Sequence, residues 1–195
     1  GVLYFALQVG LSQGVVVFLA WLRERITAWP LAAILAVLFA VGLVMFALPP
    51  VPGLPIYLIA GIVVVQRCEE SGLGFATGCT IAAAFSFSLK MAGIVLQQKG
   101  IGEPFADSVT VKKLAAVHTP PMKAIRHILS RPGFDIAKVA VLIGGPDWPT
   151  SVLTGILRLR LGSMLLGSSP IVVLIVPVVL SGAFTSKAAA LEEAS

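Results

Sequence analysis

The sequence predicts an all-α polytopic membrane protein, a helical bundle with two opposed re-entrant hairpins that form an inverted repeat. Composition is the first reason: the 195 residues are 57% hydrophobic and only 12% charged, with a mean hydropathy of +0.99, well outside the range of soluble domains. Length is the second, since it allows about four to six passes or half-passes at about 20 residues per crossing. The third is a pair of proline-glycine breaks within apolar segments.

Charge and motifs exclude several function classes. In so apolar a chain, the net charge of +5 is typical of loops that set membrane topology and contact anionic lipid, so we expect no nucleic-acid partner. The sequence has no Walker sequence, dinucleotide fingerprint or credible Ser/His/Asp arrangement, so we expect no enzyme and no cofactor. His118 and His127 are far apart without acidic or cysteine partners, which predicts no metal site. We treat residues 1–195 as one membrane domain.

The first break lies in the stretch Phe46–Gly61, FALPPVPGLPIYLIAG. Each proline fixes its own φ, removes a backbone donor and pushes the preceding residue out of the helical region. The residues that force irregular backbone are Pro49, Pro50, Pro52, Gly53 and Pro55. At membrane depth such backbone survives only where protein covers it or where it lines a water-filled cavity. The alternative is a loop at the membrane surface between two ordinary spans.

The apolar segments before and after this break differ in length. Residues 2–22 form a first span, ended by the charges at 23–25. In the first hairpin region, 31–65, Leu31–Leu48 is roughly 27 Å of helix, either a nearly full crossing or the tilted first arm of a hairpin. Ile56–Val65 is only roughly 15 Å long, about half of a ~30 Å bilayer core. This short arm favours a re-entrant hairpin over a surface loop.

A span at 75–96 follows, rich in small residues that allow close helix packing, and it contains Lys90. Residues 97–133 form a basic extramembrane segment. Ile125, Ile128 and Leu129 recur there at helical spacing, which indicates either an amphipathic helix on the membrane surface or a solvated connector.

The break pattern returns in a second hairpin, 134–160. Phe134–Ile143 is roughly 15 Å of helix and ends at a second break, Gly144–Pro149. Thr150–Leu157 leads back to Arg158 and Arg160. Two breaks in corresponding places, each followed by a short arm, are typical of an inverted-repeat transporter core. A last span, 161–184, is interrupted by Pro170 and Pro177. The basic segment should lie on the cytoplasmic side.

Three stretches together resemble the DedA/VTT membrane family, the SNARE-associated Golgi protein group, and look closest to its eukaryotic members. ALPPVPGLPIYLIAG is similar to that family's first hairpin. SLKMAG is similar to its Gly-Arg helix motif, with Lys90 in place of the arginine. GGPDWPTSVLTGILRLRLGSMLLGSSP is similar to its second hairpin and following helix. The resemblance covers most of 39–184. Two positions depart from the family pattern: Leu54 follows the Pro-Gly pair, and Lys138 is the nearest base to the family's second-hairpin arginine.

The resemblance implies two facing hairpins in a helical bundle that scrambles or transports phospholipid, in a multi-pass protein of an endomembrane of the ER/Golgi type or of an organellar membrane. Its partners would be membrane phospholipids, with membrane-protein partners or a homo-oligomer as further candidates. The departures favour an alternative, a structural subunit of a larger membrane complex that keeps the fold without transport activity.

The residues expected along a lipid path belong to the two breaks or carry charge close to them. They are Pro52, Gly53, Pro55, Tyr57, Lys90, Gly145, Pro146, Asp147, Pro149 and Arg158. Ionisable groups within a membrane are costly and usually serve function, so Lys90 and Asp147 are the expected polar pair. For each residue a second interpretation stays open: Lys90 reaches the interface with its ammonium group, or Asp147 caps the helix that begins near Thr150.

Overall fold

The computed structural model describes residues 2–49, 53–114, 119–131, 133–145 and 147–193, with the backbone alone at 2–9, 11, 12, 114, 121, 147 and 193. The described residues are helical and contain no β-strand. The helices are α1 (Val2–Ile26), α2 (Leu31–Ala47), α3 (Leu54–Glu70), α4 (Phe75–Val95), α5 (Val109–Leu114), α6 (Pro120–Ser130), α7 (Ile136–Gly144), α8 (Asp147–Ile156), α9 (Leu161–Ser168) and α10 (Val172–Glu193). A π-helical segment, Leu96–Gly102, and a 3-10 turn, Glu103–Phe105, follow α4 directly.

The chain divides into two compact units: unit 1 is Gly1–Lys90 with Val172–Ser195, and unit 2 is Met91–Ile171. Helix α3 lies at the centre of unit 1, where α1, α2 and α10 pack on it. Its residues from Ile59 to Val65 are all buried, as expected of a helix that is apolar on every side. A β-carbon at Gly61 would overlap the carbonyl oxygen of Val179, and one at Gly182 would overlap that of Leu58. Glycine therefore lets α3 and α10 approach closely.

Proline chemistry separates α2 from α3. Helix α2 ends at Ala47 and α3 begins at Leu54, with Pro55 in its first turn, where a missing N–H costs nothing. The break predicted from the sequence is thus confirmed as a helix interruption, although Pro52 lies outside the described residues. The ten-residue apolar arm expected after it, Ile56–Val65, lies within α3, which has 17 residues and continues through the charged residues to Glu70.

Unit 2 is built around a close contact between the π-helical segment and α8. A β-carbon at Gly102 would overlap the carbonyl oxygen of Val152, and one at Gly155 would overlap that of Gln98. Gln97 and Gln98 are 2% and 0% exposed. The first residues of the segment expected to be extramembrane, Gln97 and Gln98, therefore pack inside unit 2.

The sequence around Ile125 allowed either an amphipathic helix or a solvated connector. The structure has a helix there, α6. Its apolar side is covered by protein. Leu129 is fully buried in a cluster with Leu142, Leu157, Leu159 and Met164, and Ile125 packs against that cluster. The apolar side of α6 therefore faces the core of unit 2. The amphipathic-helix interpretation had expected this side to contact a membrane surface.

The second hairpin and the last span contain short helices. Helices α7 and α8 have 9 and 10 residues, or roughly 14 and 15 Å, so the short arms predicted there are confirmed as helices. The last span was expected to break at both prolines. It tightens into the 3-10 turn Ser169–Ile171 at Pro170, whereas Pro177 lies inside continuous α10.

Within the described residues, two helical stretches are long and apolar enough to cross a membrane. They are Phe75–Phe105, with 31 residues, and Leu161–Glu192, with 32 residues. Only 33% of the most apolar window of the first stretch is buried, and 28% of that of the second. Most of their apolar surface is therefore not covered by the protein's own residues.

Candidate functional site

The residues beside the first break form a compact cluster in unit 1. The rings of Phe46 and Tyr57 lie 6.2 Å apart, centroid to centroid, and both side chains are buried. Gly53 lies between them: a β-carbon there would be 2.7 Å from Cε1 of Phe46 and 3.3 Å from the Tyr57 hydroxyl. Phe46 lies in the last turn of α2, before the break, and Tyr57 lies in the first turn of α3, after the break. The two helices therefore meet through aromatic side chains, and only glycine fits between these.

Lys90 joins this cluster from α4. Its side chain is 4% exposed, and its Nζ lies 5.5 Å from the centroid of the Phe46 ring. This distance is within the range of a cation–π interaction, which strengthens where water is excluded. A snorkelling lysine would expose its ammonium group, so the burial disfavours that interpretation. Ser86, one turn earlier, is fully buried, and its Oγ has no hydrogen-bond partner among the described residues.

At the second break, the structure describes the end of α7, Gly145 and the beginning of α8. A β-carbon at Gly145 would lie 2.7 Å from the carbonyl oxygen of Val141 and 2.8 Å from Oγ1 of Thr150, so the turn has no room for a side chain. Pro149 is exposed in the first turn of α8. Pro146 and the side chain of Asp147, expected either to cap α8 or to face a path, lie outside the described part of the chain.

Arg158 has a structural role at the end of α8. Its φ of +53° lies in the left-handed region, which usually requires glycine. Its N–H donates to the carbonyl of Gly155 at 2.9 Å, and the N–H of Leu159 donates to that of Thr154 at 3.0 Å. This pair of bonds is a Schellman motif. The guanidinium also pairs with Asp107 at 2.6 Å, with both side chains largely exposed.

Two buried polar residues of unit 2 were not among the expected site residues. Lys138 is fully buried and donates to the carbonyls of Arg131 and Gly133 and, at 2.7 Å, to Oγ of Ser163. Gln98 donates to the carbonyl of Leu159 at 2.7 Å, and its Oε1 has no partner among the described residues. The signal for Lys138 in the sequence was a single base within an apolar helix.

Asp135 begins α7 and carries the clearest electrostatic shift in this region. Its Oδ2 accepts from Arg131 at 3.0 Å and its Oδ1 accepts from the N–H of Ala137 at 2.8 Å. The Arg131 guanidinium, followed by that backbone N–H, lowers the pKa of the Asp135 carboxyl below its usual value, because both stabilise the charged form.

The structure brings together some of the expected path residues. Gly53, Tyr57 and Lys90 share the unit 1 cluster, and Pro55 lies in the first turn of α3, the helix that carries Tyr57. Gly145, Pro149 and Arg158 belong to unit 2. No family model, curated protein or solved structure matches this chain.

Proposed function

We propose that the protein is a multi-pass membrane protein that carries phospholipid head groups across the bilayer, as a scramblase or transporter, along the first break. The observation that carries the proposal is the buried ammonium group of Lys90, 5.5 Å above the Phe46 ring, beside a helix interruption. Lys90 lies on one of the two helices that are long and apolar enough to cross a membrane.

Membrane insertion is supported by exposure. A core helix of a soluble protein is mostly buried, whereas about two thirds or more of the most apolar window is uncovered in both candidate spans. Contiguous exposed apolar surface marks contact with lipid or with other proteins. The proposal treats the first break as a re-entrant tip, where irregular backbone is tolerated beside a polar path.

The proposed role of Lys90 follows from its chemistry. An ammonium group has three donors and no acceptor, and a phosphate has strong acceptor oxygens. A lysine in a region with few competing waters attracts the phosphate of a passing lipid while its stem packs on apolar surface. Tyr57 and the backbone of the break would supply further polar contacts.

The test is lipid exchange in vesicles that contain the full chain. A fluorescent phospholipid is placed in both leaflets, and an impermeant reductant reports how fast the inner lipid becomes accessible. A charge-assisted hydrogen bond contributes about 1.5–3 kcal/mol, so Lys90→Met should slow exchange about tenfold or more. Lys90→Arg should keep most of the rate.

The matched control is Lys187→Met. Lys187 also lies over an aromatic ring, with its Nζ 4.5 Å from the Phe75 centroid, but it is substantially exposed and paired with Glu69. It should leave the rate unchanged. Exchange at the parent rate in folded Lys90→Met would overturn the proposed role of Lys90, and no protein-dependent exchange at all would overturn the proposed function.

One observation favours the alternative, a structural subunit of a larger membrane complex. Lys138, the base in the second hairpin, is fully buried and has three acceptors. A group held in this way stabilises a fixed arrangement rather than following a moving substrate. The same vesicle assay separates the two functions, since a structural subunit gives no exchange.

A further inference from the structure

An apolar groove runs between α1 and α2 in unit 1. It encloses about 600 Å³ and is lined on α1 by Gly10, Gly14 and Phe18, and on α2 by Ala40, Val44 and Leu48. All the side chains that line it are apolar. Both helices pack on α3.

Glycine keeps this groove open. Gly10 and Gly14 are four residues apart and therefore lie on the same face of α1. Among the described residues, a β-carbon at either position would meet no atom within 4 Å. At Gly61 and Gly182, elsewhere in unit 1, a β-carbon would overlap the backbone of a neighbouring helix. Within the described part of the chain, nothing fills the space above Gly10 and Gly14.

The groove has an aromatic and cationic end. Phe18 lines it, Trp21 stacks on Phe18 at 6.1 Å between centroids, and the Arg25 guanidinium lies 5.7 Å from the Trp21 ring. Gly14, Phe18, Trp21 and Arg25 follow at helical spacing on one side of α1. Arg23 and Glu24 line a separate hollow with Gln66 of α3, so their opposite charges belong to another face of α1.

This order of residues matches the order of groups in an anionic phospholipid. An acyl chain needs apolar walls, tryptophan prefers the interface between acyl chains and head groups, and a phosphate pairs with arginine at the surface.

We propose that the groove between α1 and α2 binds one anionic glycerophospholipid, with an acyl chain against Gly10 and Gly14 and the phosphate at Arg25. The lipid is a bound component of unit 1. Its presence does not depend on whether the protein transports lipid.

The test is native mass spectrometry of the full chain in detergent, supplied with phosphatidylglycerol or phosphatidylcholine that carry identical acyl chains. One phosphatidylglycerol should remain bound, with roughly fivefold preference over phosphatidylcholine, the ratio expected for one basic residue near the head group. Gly14→Leu fills the groove and should abolish retention. Arg25→Gln should remove the preference. Val17→Leu is the matched control, since Val17 is exposed on α1 away from the groove, and it should bind as the parent does.

A second measurement needs no groove variant. With Trp29→Phe and Trp148→Phe, Trp21 is the only tryptophan, and phosphatidylglycerol with brominated acyl chains should quench its fluorescence several times more than brominated phosphatidylcholine at equal mole fraction. Equal quenching by the two lipids would contradict the proposal. So would unchanged retention in folded Gly14→Leu. If Gly14→Leu shifts the protein from dimer to monomer without affecting lipid, the occupant is a second copy of the chain and the lipid assignment is wrong.

Discussion

The ammonium nitrogen of Lys90 lies 5.5 Å from the centroid of the Phe46 ring, and both side chains are buried. The first residue belongs to α4 and the second ends α2, so the contact ties two helices together where the chain breaks. A buried cation that keeps its charge needs compensating partners. The face of an aromatic ring is one such partner.

Phe46→Leu removes both the aromatic pair with Tyr57 and the cation–π contact with Lys90. It should therefore lower the free energy of unfolding by more than the loss of an aromatic pair alone would. A desolvated cation–π interaction contributes about 2 kcal/mol. The control is Phe39→Leu on the same helix, because Phe39 pairs with Phe85 at 6.3 Å as Phe46 pairs with Tyr57 at 6.2 Å. Unfolding in mixed detergent micelles should show Phe46→Leu less stable than Phe39→Leu by about 2 kcal/mol. Equal losses of stability in the two variants would mean that the Phe46 ring does not stabilise the ammonium group of Lys90.

Gly61→Ala should weaken the contact between α3 and α10. The new methyl group overlaps the Val179 carbonyl, and overpacking of this kind costs about 1–3 kcal/mol or more. The matched control is Gly162→Ala in α9, where a β-carbon meets nothing within 4 Å. Thermal unfolding in detergent should show a loss for the first variant and none for the second. A neutral Gly61→Ala would show that the two helices can separate without cost.

Lys138→Met should be strongly destabilising although methionine has a similar length. It removes the hydrogen bonds that the buried ammonium group donates to the carbonyls of Arg131 and Gly133 and to Ser163, and a hydrogen bond to a charged group contributes about 1.5–3 kcal/mol. Lys123→Met on exposed α6 surface should change stability by less than about 0.5 kcal/mol. A small effect of Lys138→Met in denaturant unfolding would show that water replaces the ammonium group.

Asp135 should make stability depend on pH in acid. Its pKa is lower in the folded protein, chiefly through Arg131, so the unfolded state binds the proton more tightly. The stabilisation is complete above the unfolded pKa of about 3.9 and is lost as the pH falls through the lower folded value. Asp135→Asn should be less stable than the parent at neutral pH, with the difference shrinking below about pH 4. A difference that is constant from neutral to acid pH would contradict the ion pair. Arg131→Gln should reduce the same dependence.

Arg158 allows a comparison of backbone strain with an ion pair. Arg158→Gly removes the left-handed penalty of about 1–2 kcal/mol, whereas Arg158→Ala keeps it, and both remove the exposed pair with Asp107, which contributes at most about 1 kcal/mol. The glycine variant should therefore unfold at a higher temperature than the alanine variant. The opposite order would mean that the Schellman turn is not strained.

How far the sequence predicted the structure depended on whether the deciding forces were local. The end of α2 before the first break and the short helices α7 and α8 are set by proline and by the Asp135 cap, which the sequence displays directly. The extension of α3 past Val65 was missed because polar residues were taken as its end. They continue the helix, and Arg67 pairs with Glu70 at 2.9 Å. The 3-10 turn Ser169–Ile171 contains Pro170, which lacks a backbone donor, and Oγ of Ser169 bonds the Leu166 carbonyl at 2.8 Å.

The residues that sequence reasoning missed depend on contacts between distant segments. Lys138 is buried because Ser163 and the carbonyl of Arg131 meet it, and Gln98 because the carbonyl of Leu159 does. Side-chain chemistry alone does not reveal such acceptors, since most of them are backbone groups. The cluster of Gly53, Tyr57 and Lys90 was predictable in its members, because each stands out in an apolar chain, whereas the participation of Phe46 was not.

Unit 1 also imposes an order on biosynthesis. Helix α3 needs α10 against Gly61, yet all of Met91–Ile171 is made between them. At about 5–20 residues per second, α3 waits several seconds for its partner, with its glycine surface uncovered. Unit 2 is contiguous in sequence and can complete its packing during this delay. Truncation anywhere before Val172 therefore leaves the centre of unit 1 open, and a chain cut there should be recognised by quality control as an orphaned helix hairpin.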